Sequence, residues 1–468
     1  MRPEFRSDLD TLEEVPRYIL RARLDPQDHR VDGEMELTYT NTRDQPLTEL
    51  VFRLYPNAKS IYGGGSLQVE NIQQGQTALS SRLSQDDTVL QVTLQPQIQP
   101  AGQVTVSMDF TAQAPVGSGQ GYGIYNQLSD VMALAGWYPV LAPYENGWQT
   151  PDIPVVGDAM LAETSLFDVT LTYPQGYTLV STGSLASTQE QPRATSQTTS
   201  RATPPEGLVT RRIVSGPARE FALSLSQRYR TLERDAGGVR LRLHVLPDES
   251  PLVSAEKGLD LLAQAFQTYV RRYGPYPYNE LEVAEAAITI GGYEFPGMAL
   301  LDDGLRSTRG LADYRYILVH ELAHQWWYGL TGSHTIQAPW LDEGHATYSA
   351  VIFLEDNLGE QAGQRLLANW KSTYGEHRRQ DPPVNSSALE FTNWAAYREI
   401  VYIDGAFFLD QLRQELGDDQ YFELEQRYQQ RYRYQTGGTQ AYLSLAEEIA
   451  GHDMQSFFSE WFDLQQNQ

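Results

Sequence analysis

The chain has 468 residues, 41% of them apolar, with 25 prolines, no cysteine and a formal net charge of −25 at neutral pH. That length holds two or more cores, and the missing cysteine excludes disulfides and thiolate metal sites. The charge argues against nucleic acid or an anionic membrane surface as partner, and suits cationic substrates such as peptides carrying a free α-amino group.

No apolar run of about eighteen residues is present, so no membrane-spanning segment is expected. The start, Met1-Arg-Pro-Glu-Phe-Arg6, lacks the apolar stretch of a signal peptide. The expected compartment is therefore the cytoplasm, or an extracytoplasmic space after loss of a targeting segment. From Tyr18 to about Tyr229 the pattern is of short alternating runs separated by turn residues. Met35–Thr40 and Val104–Phe110 alternate with period two, and Leu166–Tyr173 runs into a Pro174-Gln-Gly176 turn. This reads as an antiparallel β domain. Ser181–Pro205, rich in Ser, Thr, Gln and Pro, reads as a long exposed loop.

The turn Asp235-Ala-Gly-Gly238 sets the expected boundary, dividing the chain into a β-rich unit, 1–234, and a second unit, 235–468. Val239–Leu246 alternates as a strand, and its His244 reads as a surface or packing histidine. Ala255–Tyr273 has helical periodicity and stops at Gly274-Pro-Tyr-Pro277. Leu281–Ile290 reads as a strand that enters Gly291-Gly-Tyr-Glu-Phe-Pro-Gly297, a glycine-rich turn that lets a ligand backbone come close.

Tyr316-Ile-Leu-Val-His-Glu-Leu-Ala-His-Gln-Trp-Trp-Tyr328 reads as a buried helix ended by Gly329. His320 and His324, four apart, lie on one helical face and can hold one metal ion, with Glu321 beside them to work on water. Burying these groups without a ligand would be costly. Glu343, nineteen positions after His324 in Trp340-Leu-Asp-Glu-Gly-His345, can be the third ligand and leave a fourth position open. With no thiolates available, this is a catalytic zinc site of nitrogen and oxygen ligands, one ion per chain. His334 and His345 read as structural, and His29, His377 and His452 have no constellation around them.

His320-Glu-Leu-Ala-His-Gln-Trp-Trp327 followed by Glu343 closely resembles the aminopeptidase N and leukotriene hydrolase family of gluzincin zinc metallopeptidases. The resemblance implies an α+β fold, with a saddle-like antiparallel β domain before a thermolysin-like, mainly helical catalytic domain that carries a small β-sheet. Tyr18–Asn57 looks like the opening of the saddle domain. The family's Gly-x-Met-Glu-Asn motif is matched by Gly291, Gly292 and Glu294, with Tyr293 and Phe295 replacing Met and Asn. By that resemblance Glu294 binds the substrate's free α-amine, on an edge strand that pairs with the substrate backbone. A family glutamine that assists the amine has no matching motif here, Gln127 being merely near. Tyr402 in Tyr397–Gly405 matches the family tyrosine that donates to the oxyanion. The large helical C-terminal domain of many relatives is not found after Gly451–Trp461.

The expected activity is zinc-dependent hydrolysis of N-terminal peptide bonds, with Glu321 moving the proton. A zinc endopeptidase, an epoxide hydrolase suggested only by the family's membership, and a non-catalytic zinc-binding scaffold are the alternatives.

Overall fold

The computed structural model describes residues 1–117, 121–191, 207–375 and 382–464. Arg17–Asp25 shows why its half of the chain is β: Tyr18, Leu20, Ala22 and Leu24 are buried and the residues between them are exposed. This strand lies inside an eight-stranded sheet, parallel to Leu166–Pro174 and antiparallel to Arg30–Thr40. Two four-stranded sheets pack beside it to give one apolar core. The Met35–Thr40 and Val104–Phe110 runs fall within the paired strands Arg30–Thr40 and Gln103–Gln113.

A five-stranded sheet forms the wall between this half and the helices. Its order is Arg230–Asp235, Arg240–Val245, Glu280–Ala286, Met298–Asp302 and, at the edge, Gly292–Phe295. Alternation along these strands serves two cores at once. Ala284, Ala286, Met298 and Leu300 face the β-rich half; Leu281, Val283, Ala299 and Leu301 face the helices. A strand covered on both faces carries apolar residues at successive positions, as Met298–Leu301 does.

On the helical side, Ala255–Tyr273 starts where Ser254 Oγ accepts from Lys257 N (3.2 Å) and stops at Gly274, whose φ is 110°. Trp340–Leu358 is buried continuously from Trp340 to Phe353, the mark of an interior helix.

Three expectations about single elements need correction. Ser184–Gln191 is not loop but a strand paired with Leu208–Val214 at the sheet's edge. Its Ser, Thr and Gln side chains give no apolar period because both faces of this arm meet solvent. Residues 192–206 lie outside the described residues. The motif helix runs Leu311–Ala323 and ends at His324, five residues before Gly329, and Tyr328, at a φ of 132°, keeps it from reaching that glycine. The strand expected over Leu281–Ile290 is Glu280–Ala286. The turn at 235–238 joins two strands of the five-stranded sheet, so residues 230–234 pair with the second half.

Candidate metal centre and active site

The motif helix brings His320, Glu321 and His324 to a cleft of about 780 Å³ between the two halves. Gln325, the next residue, ties the edge strand to it: its amide donates to Phe295 O (3.0 Å) and accepts from Gly297 N (2.8 Å). Glu294 and the motif helix are thereby held in register. Gly292 makes the approach possible, because a Cβ there would lie 2.2 Å from Glu321 Oε1. Gly291, at φ 83°, turns the chain into the edge strand.

Three donor atoms converge in the cleft. His320 Nε2 is 3.2 Å from Glu343 Oε2 and 3.2 Å from His324 Nε2, which is 3.4 Å from the same carboxylate oxygen. The outer nitrogens are occupied: His324 Nδ1 faces Trp327 O at 3.0 Å, and His320 Nδ1 lies 3.5 Å from Thr347 Oγ1. That leaves both Nε2 atoms for a shared ligand, the usual arrangement around metal-holding imidazoles. Burial alone would raise Glu343, but His320 and His324 outweigh it and hold its carboxyl below the usual range, so it stays ionised. Burial also works against a charged His324, yet Glu343 carries it up to about 9. Two imidazoles and one carboxylate at this spacing fit a divalent ion taking nitrogen and oxygen ligands.

Glu321 is buried, its Oε2 has no hydrogen-bond partner among the described residues, and burial pushes it up to about 8. The Tyr402 hydroxyl donates to Glu343 Oε1, and its ring stacks on His320 with centroids 5.6 Å apart. Burial raises that phenol well above its ordinary value, so it is a donor at any working pH.

Asp158, which nothing in the sequence singled out, completes an acidic pole. One oxygen each from Asp158, Glu294 and Glu343 lie within 4.8 Å of one another. Burial drives Asp158 and Glu294 far above the carboxylate range, and neighbouring carboxylates add to it. Overlapping acidic sets share these atoms, but among the described residues only the set of His320, His324 and Glu343 brings two imidazoles together. Tyr293 is buried between Tyr122 and Phe295 and packs toward the β-rich core. Tyr122 also meets Trp394, so the two halves close an aromatic wall beside Tyr402. Gln127 is not among the residues lining the cleft.

Behind the centre, the β-rich half grips the motif helix's end. Arg219 is buried and donates to Tyr328 O (3.1 Å), Ala162 O, Gln435 O and Thr436 Oγ1. Glu220 accepts from the Tyr328 hydroxyl. These contacts hold Tyr328 at its strained φ, next to the Trp327 carbonyl that orients His324.

The other histidines take packing roles. His345 lies between Trp327 and Trp340, with ring centroids 3.9 and 5.7 Å away, and burial pushes it down to about 3. His244 is buried against Glu282 (2.7 Å), and His334 meets Glu145 (3.3 Å). His377 lies outside the described residues.

Residues 259–461 match the peptidase family M1 domain. Aminopeptidase N of Streptomyces lividans is 23% identical over 246 residues, covering 49% of this chain and 28% of that protein. Aminopeptidase M1-B of Oryza sativa subsp. japonica is 26% identical over 224 residues, 44% of this chain and 24% of that one. The chain thus spans about a quarter of the length of these curated relatives. Among solved structures, an M1 zinc metallopeptidase from Deinococcus radiodurans aligns with a TM-score of 0.71 at 20% identity, covering 96% of this chain and 94% of that one. A mutant of it bound to a Tyr-Ser-Ala substrate aligns at 0.69 and 19%. That likeness is one of fold, and it spans both halves. The sequence match falls on the half that carries the His320–His324–Glu343 centre, and over residues 259–461 the chain is similar to the peptidase family M1 domain.

Proposed function

We propose that this protein is a zinc-dependent aminopeptidase. The observation that carries this reading is the acidic pole of Asp158 and Glu294 set directly against the His320–His324–Glu343 donors. Buried carboxyls this close cannot all ionise cheaply. A substrate α-ammonium supplies the countercharge they lack, whereas a neutral, blocked N-terminus does not.

His320, His324 and Glu343 would hold the zinc. Bound there, zinc supplies Lewis acidity that polarises a scissile carbonyl and acidifies water. Glu321 takes the water's proton and returns it to the departing amine. Tyr402 donates toward the developing oxyanion from its place beside Glu343. The free edge of Gly292–Phe295 pairs with the substrate backbone. Units 1–234 and 235–468 face each other across the cleft in this reading, with 230–234 packed on the catalytic side.

The test is hydrolysis of aminoacyl-nitroanilides by zinc-loaded protein, beside N-acetylated copies and a chelator control. Chelator-sensitive cleavage of the free-amine set alone is expected. Cleavage of the acetylated set would remove the role of Asp158 and Glu294 and make the protein an endopeptidase. Metal analysis completes it: Glu321→Gln keeps zinc and loses roughly 10²–10⁴-fold in kcat, whereas Glu343→Ala loses zinc.

A further inference from the structure

Two arginines, Arg309 and Arg398, interrupt an otherwise acidic cleft. Asp158, Glu294 and Glu321 gather on the His324 side, while Glu343 lies between the two imidazoles. Arg398 lines the same cleft one helical turn before Tyr402, in the π-helical segment Arg398–Asp404. Its position is on the other side of the centre. The Tyr402 ring stacks on His320, Tyr316 packs against His320 with centroids 6.1 Å apart, and the Arg398 charge acts on both Tyr316 and His320. The main charges acting on Asp158 and Glu294 are instead other carboxylates and His324.

Arg398 is half-buried, and among the described residues no carboxylate or carbonyl oxygen accepts from it. Its guanidinium carbon lies 5.9 Å from the centre of the Tyr374 ring. The other cleft arginine, Arg309, is exposed at the rim, where its charge acts on Asp302. In a chain with 60 acidic and 35 basic residues, a partly desolvated guanidinium without a counter-ion is an unrepaid cost. Its planar fork is built for carboxylate. A short peptide with both ends free carries its two opposite charges toward the two poles of this cleft.

We propose that Arg398 binds the C-terminal carboxylate of short peptides, so that the cleft reads both ends of its substrate. This rests on the aminopeptidase reading and adds a length limit to it: peptides of a few residues reach Arg398 with their terminus, and long chains do not.

The test compares alanine peptides of two to five residues as free acids and as C-terminal amides. A third set, amides carrying Glu at position two or three, separates a terminal carboxylate from a side-chain one. At one length the free acid should exceed its amide by roughly 10- to 100-fold in kcat/KM, through KM. Arg398→Gln should collapse that ratio to near one, and Arg398→Lys should keep part of it, a rescue that a merely structural role would not give. Equal cleavage of acid and amide at every length by the unaltered protein overturns the proposal, as does a ratio that survives Arg398→Gln. Glu-bearing amides cleaved as well as the free acids would move the contact to a side chain and overturn the terminal assignment. Cleavage of nitroanilides with no acid preference sinks this inference alone, whereas failure to cleave any free-amine substrate sinks the aminopeptidase reading as well.

Discussion

At the scale of single residues, Gly292 and Glu321 show how closely the edge strand is pressed to the motif helix. A methyl at position 292 would meet the Glu321 carboxylate oxygen at 2.2 Å and its Cγ at 2.3 Å, and only the glutamate side chain can yield. Gly292→Ala should therefore fold and keep zinc while kcat falls, by about tenfold or more, as Glu321 swings from its place. Steady-state kinetics beside metal content checks this; unchanged kcat would show that Glu321 works from another rotamer. Local spacing made His320, Glu321, His324 and Glu343 legible, since each is fixed by a helical period or a short connection. Asp158 had no such signal. It arrives from the β-rich half along an irregular stretch, and only the packed fold brings it to Glu294.

Between elements, the segment bearing Tyr402 rests on the helix bearing Glu343 through two glycines. A Cβ on Gly405 would lie 3.1 Å from the Gly344 Cα, and one on Gly344 would lie 3.2 Å from the Gly405 Cα. Neither backbone can give way as a side chain does. Gly405→Ala gains about 1 kcal/mol of helix propensity but faces an overpacking cost of roughly 1–3 kcal/mol. The expected net is a modest fall in thermal midpoint, with a clearer fall in kcat as Tyr402 moves from Glu343; a variant with native kcat would count against that geometry. The helix itself was legible, but its π-helical start was not, because an extra residue in a turn leaves little trace in apolar periodicity. Likewise, the early end of the motif helix depends on Tyr328, whose conformation is imposed by Arg219 and Glu220 from far along the chain.

For the molecule as a whole, two carboxyls deep in the interior and away from the cleft add to its response to pH. Burial pushes Glu220 and Glu425 each up to about 8 from an ordinary value of 4.5. A carboxyl with a raised folded pKa binds its proton more tightly when folded, so stability is greatest below about 4.5 for this contribution and is lost as pH rises toward 8. Glu425→Gln, which keeps a donor facing His345, should unfold at the same temperature as the parent near pH 5 and at a higher one near pH 8. The difference should be on the order of a few kcal/mol at most, and parallel melting curves across that range would refute the assignment.

Arg219 and Glu220 belong to one half, and Tyr328 and His324 to the other, yet a single strained backbone joins them. Whatever grips His324 Nε2 therefore also stiffens the seam between the halves, and whatever loosens the seam releases that grip. The two events share one coupling energy, which acts equally in both directions. Arg219→Gln should raise the dissociation constant for zinc although Arg219 touches no ligand, and chelation should make the seam around 219–220 exchange its amide hydrogens faster. The ion's place in this protein is then partly that of a rivet, and the two-part architecture becomes a means of sensing whether the rivet is in.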